Sequence, residues 1–204
     1  MDVAVIGAGN VGLTLARAWQ RGGLHVTLAV RDPEAERYEG LRAEFAVGTI
    51  AQSVPPADAT LLAVPGARLP DLLSAQGAVL DGRLLLDATN VVGGDRLHQV
   101  DLLTQMLPRA RVYRAFNTLG WENYASPGFD LGGTTVAPDL LFCGPDGPDL
   151  GQVEALISAV GLHPVRIGDL EAADTLDGLT RLWFALALGQ GRGRHLAFRV
   201  LTDH

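Results

Sequence analysis

Asp2-Val3-Ala4-Val5-Ile6-Gly7-Ala8-Gly9-Asn10-Val11-Gly12 carries an apolar run straight into the pattern G-x-G-x-x-G. Val3 to Ile6 reads as a strand buried on both faces of a parallel sheet. Asn10 to Arg21 then places Val11, Leu15, Ala18 and Trp19 at helical spacing, and Gly22-Gly23 stops that helix before a second apolar run, His25 to Val30. In this strand, loop, helix, strand setting the three glycines have separate physical tasks. Gly7 makes the tight turn, Gly9 lets a pyrophosphate reach the backbone, and Gly12 lets helix and strand pack closely. The phosphates would rest on unpaired amides at the helix N-terminus, so the stretch points to dinucleotide binding.

Working outward, Asp32-Pro33-Glu34 reads as an N-cap, a proline at the first helical position and an acid in the first turn, opening a polar helix to about Glu44. A weak strand is expected over 45–51, clearer ones over 60–64 and 84–87, and a helix over 69–75 between them. Beyond Asn90 the spacing predicts a helix near 96–107 and strands near 111–116, 140–143 and 164–167. The segment 170–201 is helical by pattern, broken at 189–193, and apolar enough over 182–188 to pack on the sheet or on another subunit. Alternating β and α units imply a Rossmann-type, doubly wound, mostly parallel sheet. The expectation is a single NADP-binding domain over 1–204, with a small C-terminal α/β extension ending in helix, and 117–204 contributing an acceptor cleft.

Composition narrows the function. With 48% apolar and 19% charged residues the chain is expected to fold rather than remain disordered. A net charge of -7 argues against nucleic acid or an anionic membrane surface as partner. All 16 bases are Arg, which removes lysine Schiff bases, pyridoxal phosphate aldimines and the P-loop lysine. One cysteine, Cys143, permits no intrachain disulfide and fits a cytoplasmic setting, as does the lack of a basic n-region at the start. Cys143 closes an apolar run and reads as an inert buried thiol.

At the tip of the second strand Arg31 and Asp32 offer two alternatives. An acid there accepts from a ribose 2′-hydroxyl, whereas an arginine grips a 2′-phosphate. Asp32 has a duty as a cap before Pro33; Arg31 has none comparable, which favours NADP(H). Val64-Pro65 and Ala88-Thr89-Asn90 end central strands and are expected to line the nicotinamide side of the crevice, with Asp87 a structural strand-end acid. The segment Ala115 to Tyr124 crowds aromatics and amides after another strand, so Asn117, Thr118 and Trp121 are candidates for the acceptor pocket, against the plain alternative of a packed loop. None of His25, His98, His163, His195 and His204 falls in a proposed cleft motif. Arg192, Arg194, His195 and Arg199 read as a solvated or interface face.

These motifs together make the chain resemble the NADP oxidoreductase family related to coenzyme F420-dependent NADP reductase; it also looks like the oxidoreductase domain of the STEAP metalloreductases. The resemblance runs nearly end to end, on GAGNVG, LHVTLAVRDP, LLAVP, LLLDATN, VYRAFNTLGWEN, LFCGPDG and GDLEAADTLDGLTRLWFALA. It implies NADP(H) at the strand ends and hydride exchange with a deazaflavin (F420) or flavin in the adjoining cleft. By position, Gly7, Gly9, Asn10, Val11 and Gly12 match the phosphate loop, and Arg31 matches the arginine of a Ser-Arg pair on the 2′-phosphate. Val30 stands in place of that serine. Gly66 stands where a bulky aromatic is expected after Val64-Pro65, a change expected to widen the cleft. The alternatives are NADP(H)-dependent reduction of another small acceptor, such as an imine or carbonyl, and a non-catalytic NADP(H)-sensing module. A homodimer through the C-terminal helix is expected.

Overall fold

The computed structural model describes residues 1–203. Asp2–Ile6 (β1), His25–Val30 (β2), Ala46–Thr49 (β3), Ala59–Leu62 (β4), Leu84–Asp87 (β5) and Arg111–Arg114 (β6) form one sheet in the order β3-β2-β1-β4-β5-β6. Every pairing is parallel. The winding reverses between β1 and β4, and a crevice opens at the carboxyl ends of such strands.

The helices are Asn10–Arg21 (α1), Glu39–Arg42 (α2), Ile50–Ser53 (α3), Leu69–Leu80 (α4), Val100–Met106 (α5), Glu122–Ala125 (α6), Leu150–Ala159 (α7) and Ala173–Phe184 (α8). Two apolar layers flank the sheet, because strands buried on both faces need cover on each side. One layer gathers Leu15, Trp19, Phe116, Tyr124, Leu156 and Trp183; the other gathers Leu69, Leu73, Leu103 and Leu107. None of these helices is long and apolar enough to cross a membrane.

Past β6, Phe129–Leu131 (β7) and Thr134–Val136 (β8) form an antiparallel hairpin, while Asp139–Phe142 (β9) pairs in parallel with His163–Arg166 (β10). Arg114 and Cys143 exchange both backbone hydrogen bonds, at 2.8 and 3.1 Å, an antiparallel bridge that joins this pair to the edge of the main sheet. α8 runs on through a π-turn at Ala185–Gly189, the last regular element.

Several boundaries differ from expectation. No helix starts at Asp32: its Oδ1 accepts from the Glu34 N–H at 3.2 Å, and helical structure begins only at Glu36 with a 3-10 turn. A short acidic side chain bonded to its own backbone competes with the helix it was expected to cap. β3 ends at Thr49, which caps α3 through a reciprocal pair with Gln52. α4 extends to Leu80, and β6 stops at Arg114 because Phe116 takes a positive φ of 64°. After Gly191 and Gly193, both at positive φ, the chain is not helical, and long-range bonds hold the tail instead. The Trp183 indole donates to Leu196 O at 2.8 Å, and the Asp139 N–H to Phe198 O at 3.0 Å.

Candidate functional site

The loop between β1 and α1 is close-packed at two glycines and open at the third. A Cβ on Gly7, at φ +117°, would stand 2.4 Å from Ala63 O, and one on Gly12 would stand 2.0 Å from Gly7 O. At Gly9 nothing lies within 4 Å. No side chain caps α1, and its first internal bond is Leu13 N–H to Gly9 O at 2.9 Å. The amides of Asn10, Val11 and Gly12 therefore precede the helical ladder, where the helix dipole favours an anion.

From this loop a crevice of about 700 Å³ extends over the ends of β2 and β4, walled by Thr49 to Ala51 on one side and by Leu72, Ala75 and Gln76 of α4 on the other. Arg31, Arg37, Arg68, Val64 and Pro65 line it. Arg31 is exposed and, among the described residues, enters no ion pair, whereas Arg68 faces Asp71 at 3.8 Å. Arg37 lies over the Tyr38 ring at 4.7 Å, a stacking that holds a second guanidinium at the mouth. Sequence reasoning passed over Arg37 and Arg68, since a lone exposed arginine carries no signal until the fold brings it to a cavity.

Gly66 does not widen the cleft. It is buried, its N–H donates to Asn90 O at 3.2 Å, and a Cβ would stand 2.6 Å from the Asn90 backbone. Without a side chain there, the loop after β4 closes onto the loop after β5, and the Gln99 amide locks it by donating to Gly66 O at 2.7 Å.

Beneath these loops lies a group that the sequence did not disclose. Arg114, fully buried at the end of β6, donates from Nη1 to Asp87 Oδ2 and Thr89 O, both at 2.9 Å. From Nη2 it donates to Asn90 Oδ1 at 2.8 Å and Asp177 Oδ1 at 3.1 Å. The Asn117 amide, turned to present its oxygen, accepts from Nη2 at 3.1 Å and Nε at 3.3 Å. Asp87 is thus structural, as expected, and it also accepts from the Thr89 hydroxyl at 2.7 Å. Asp177 Oδ2 accepts from the Leu97 and His98 amides at 2.6 and 3.1 Å, tying α8 to the loop after β5.

Of the proposed pocket residues, Asn117 and Thr118 are 4% and 1% exposed, so they brace the loop from within and do not face a ligand. Burial in the arginine network is the reason: Asn117 O also accepts from the Asn90 amide at 3.0 Å. Trp121 is half-buried at the rim of the larger core, and Phe116 is clamped edge-on by Trp19 and Tyr124, each at 5.7 Å. Ala88 is nearly enclosed and Asn90 half-buried at the β5 end.

The histidines lie elsewhere. His98 pairs with Asp174 at 3.0 Å, His163 with Asp139 at 2.9 Å, His195 stacks on Phe129 at 4.3 Å, and His25 is exposed on β2. His204 is outside the described residues. Arg194 binds Glu122 at 2.5 Å and Arg199 binds Ala137 O at 2.6 Å, so both pin the tail to the body; Arg192 is exposed. Burial pushes the Cys143 thiol up to about 11.

Residues 2–91 match the family described as NADP oxidoreductase, coenzyme F420-dependent. No curated protein sequence matches the chain. Among solved structures, a candidate F420-dependent NADP-reductase from Arthrobacter sp. FB24 superposes with a TM-score of 0.82 at 24% identity, over 99% of this chain and 100% of that one. A hypothetical protein from Sinorhizobium meliloti gives 0.70 at 25% identity, over 100% and 96% of the two chains. A reductive aminase from Aspergillus terreus, in complex with NADPH and ethyl levulinate, gives 0.65 at 17%, over 93% of this chain and 62% of that one. The family match covers β1 through β5, the part of the chain that builds the crevice.

Proposed function

We propose that this protein transfers hydride between NADP(H) and a flavin-like or deazaflavin (F420-like) acceptor. The observation that carries the reading is the crevice that runs from the open Gly9 amide cradle to Arg31 at the tip of β2. Gly7, Gly9, Asn10, Val11 and Gly12 would hold the pyrophosphate, with Arg31 and Arg37 on the 2′-phosphate. Val64, Pro65, Ala88 and Asn90 would border the nicotinamide half. When bound, NADP(H) supplies or takes up the hydride; the chain's own residues orient it and keep it apart from water.

The acceptor argument rests on what borders the strand ends. Asn90 follows the end of β5 and Trp121 is half-buried in the loop after β6, while the Tyr124 hydroxyl is buried and donates to Leu119 O at 3.3 Å. Among the described residues no histidine lines the crevice, and the Asp71 that does faces Arg68 at 3.8 Å, so a carbonyl or imine would find no ready imidazole or carboxyl proton donor in that lining. A flavin-like ring delocalises the incoming charge and asks mainly for stacked alignment. The same reading takes the protein to be a cytoplasmic homodimer.

NADPH consumption measured against F420, FMN, FAD, riboflavin, quinones, ferric chelates and a cyclic imine tests this. Turnover fastest with F420 or a flavin is expected. Turnover with the imine alone would replace the acceptor, and tight NADPH binding with no turnover on any of them would make the protein a sensing module.

A further inference from the structure

Asp87, Arg114 and Asp177 are 0%, 0% and 1% exposed, and two carboxylates face one guanidinium. All hydrogen-bond partners of the two carboxylates are donors: the Thr89 backbone amide and hydroxyl, the Leu97 and His98 backbone amides, and Arg114 itself. The cluster therefore holds one uncompensated negative charge in a site closed to water. Nearby Arg96 is 56% exposed and already paired with Asp101 and Asp174, so it offsets that charge poorly. The cluster sits under the β5 end, where the Arg114 guanidinium that the two carboxylates share donates to Thr89 O and Asn90 Oδ1. In this topology that is the nicotinamide side of the crevice.

We propose that the buried Asp87–Arg114–Asp177 cluster biases the bound cofactor toward its oxidised form, and so makes NADPH a stronger hydride donor on this protein than in solution. When the hydride leaves with its electron pair for the flavin-like acceptor, the nicotinamide ring gains one positive charge that the reduced ring lacks. A fixed negative charge beneath the ring favours that charged state. The inference rests on the reading of the crevice as an NADP(H) site.

The test is the ratio of the Kd for NADPH to the Kd for NADP+, measured by titration on the whole protein, with no turnover involved. In the wild type NADP+ is expected to bind at least as tightly as NADPH. Asp177→Asn and Asp87→Asn each remove the surplus charge. At an effective dielectric of about 20 and a separation on the order of 10 Å, each is expected to lower the ratio about 5- to 30-fold. Asp177→Glu, which keeps the charge, is expected to keep the ratio. A purely structural role would weaken both forms alike and leave the ratio within twofold, which overturns the proposal. Wild-type protein that binds NADPH more than tenfold tighter than NADP+ overturns it without any variant. Wild-type protein that binds neither form removes the cofactor reading itself, and this inference with it.

Discussion

Gly9 and Gly12 belong to one loop and answer to different constraints. A Cβ at Gly12 would meet a carbonyl oxygen at 2.0 Å, whereas at Gly9 it would meet nothing within 4 Å. Gly12→Ala is therefore expected to destabilise the protein by about 1–3 kcal/mol or more, read by chemical denaturation, because a tight helix-strand contact must be forced apart. Gly9→Ala is expected to leave stability within about 0.5 kcal/mol of wild type, a change away from any packed contact. It should weaken NADPH about tenfold by filling the space the pyrophosphate needs. Cys143 supplies a second check. Burial raises its thiol from the ordinary 9.0 to about 11, so the native protein is expected to resist alkylation at pH 8 and to react once unfolded. The sign follows: the unfolded thiol ionises first, so this group's share of stability is intact below pH 9 and lost as pH rises toward about 11. Rapid alkylation of folded protein at pH 8 would contradict the burial.

At the scale of elements, the loop from Phe116 to Tyr124 divides into a braced half and an available one. Asn117 and Thr118 are enclosed; Trp121 is not. Replacing Trp121 with Ala is expected to slow acceptor reduction about tenfold through lost stacking and positioning, with NADPH affinity nearly unchanged. Unaltered turnover in the folded variant would remove the loop from the acceptor site. The elements that were legible in the sequence are those punctuated locally: the Gly7–Gly12 loop, the stop at Gly22-Gly23, and the apolar runs of β1, β2, β4 and β5. Asp32-Pro33 misled because one side-chain-to-backbone bond turned the chain before a helix could start. The tail after Gly193 misled because its order comes from partners far away, such as Asp139 and Trp183. Arg114 was invisible for the same reason: its carboxylates lie 27 and 63 residues away, and an arginine at a strand end looks like any surface cation until both meet it.

Over the whole molecule the net charge is -7, yet Arg31, Arg37 and Arg68 gather around one crevice. That asymmetry suits an anionic ligand drawn to one place on an otherwise acidic surface. Along α8 and its π-turn, Trp183 and Ala187 face inward while Leu182 and Leu188 are 48% and 53% exposed. Sedimentation at micromolar concentration is expected to give twice the 21.5 kDa chain mass; a single-chain mass would mean that this helix serves only its own fold. The central claim is that Arg31 makes the crevice a site for NADP(H). Calorimetric titration of NADPH and NADH into the wild type and Arg31→Ala tests it most directly. The wild type is expected to prefer NADPH by about 10- to 300-fold, from two charge-assisted hydrogen bonds trimmed by solvent and Asp32. Arg31→Ala should lose most of that preference by weakening NADPH alone. A wild type that binds NADH more tightly, with Asp32→Ala the damaging change, would contradict the account.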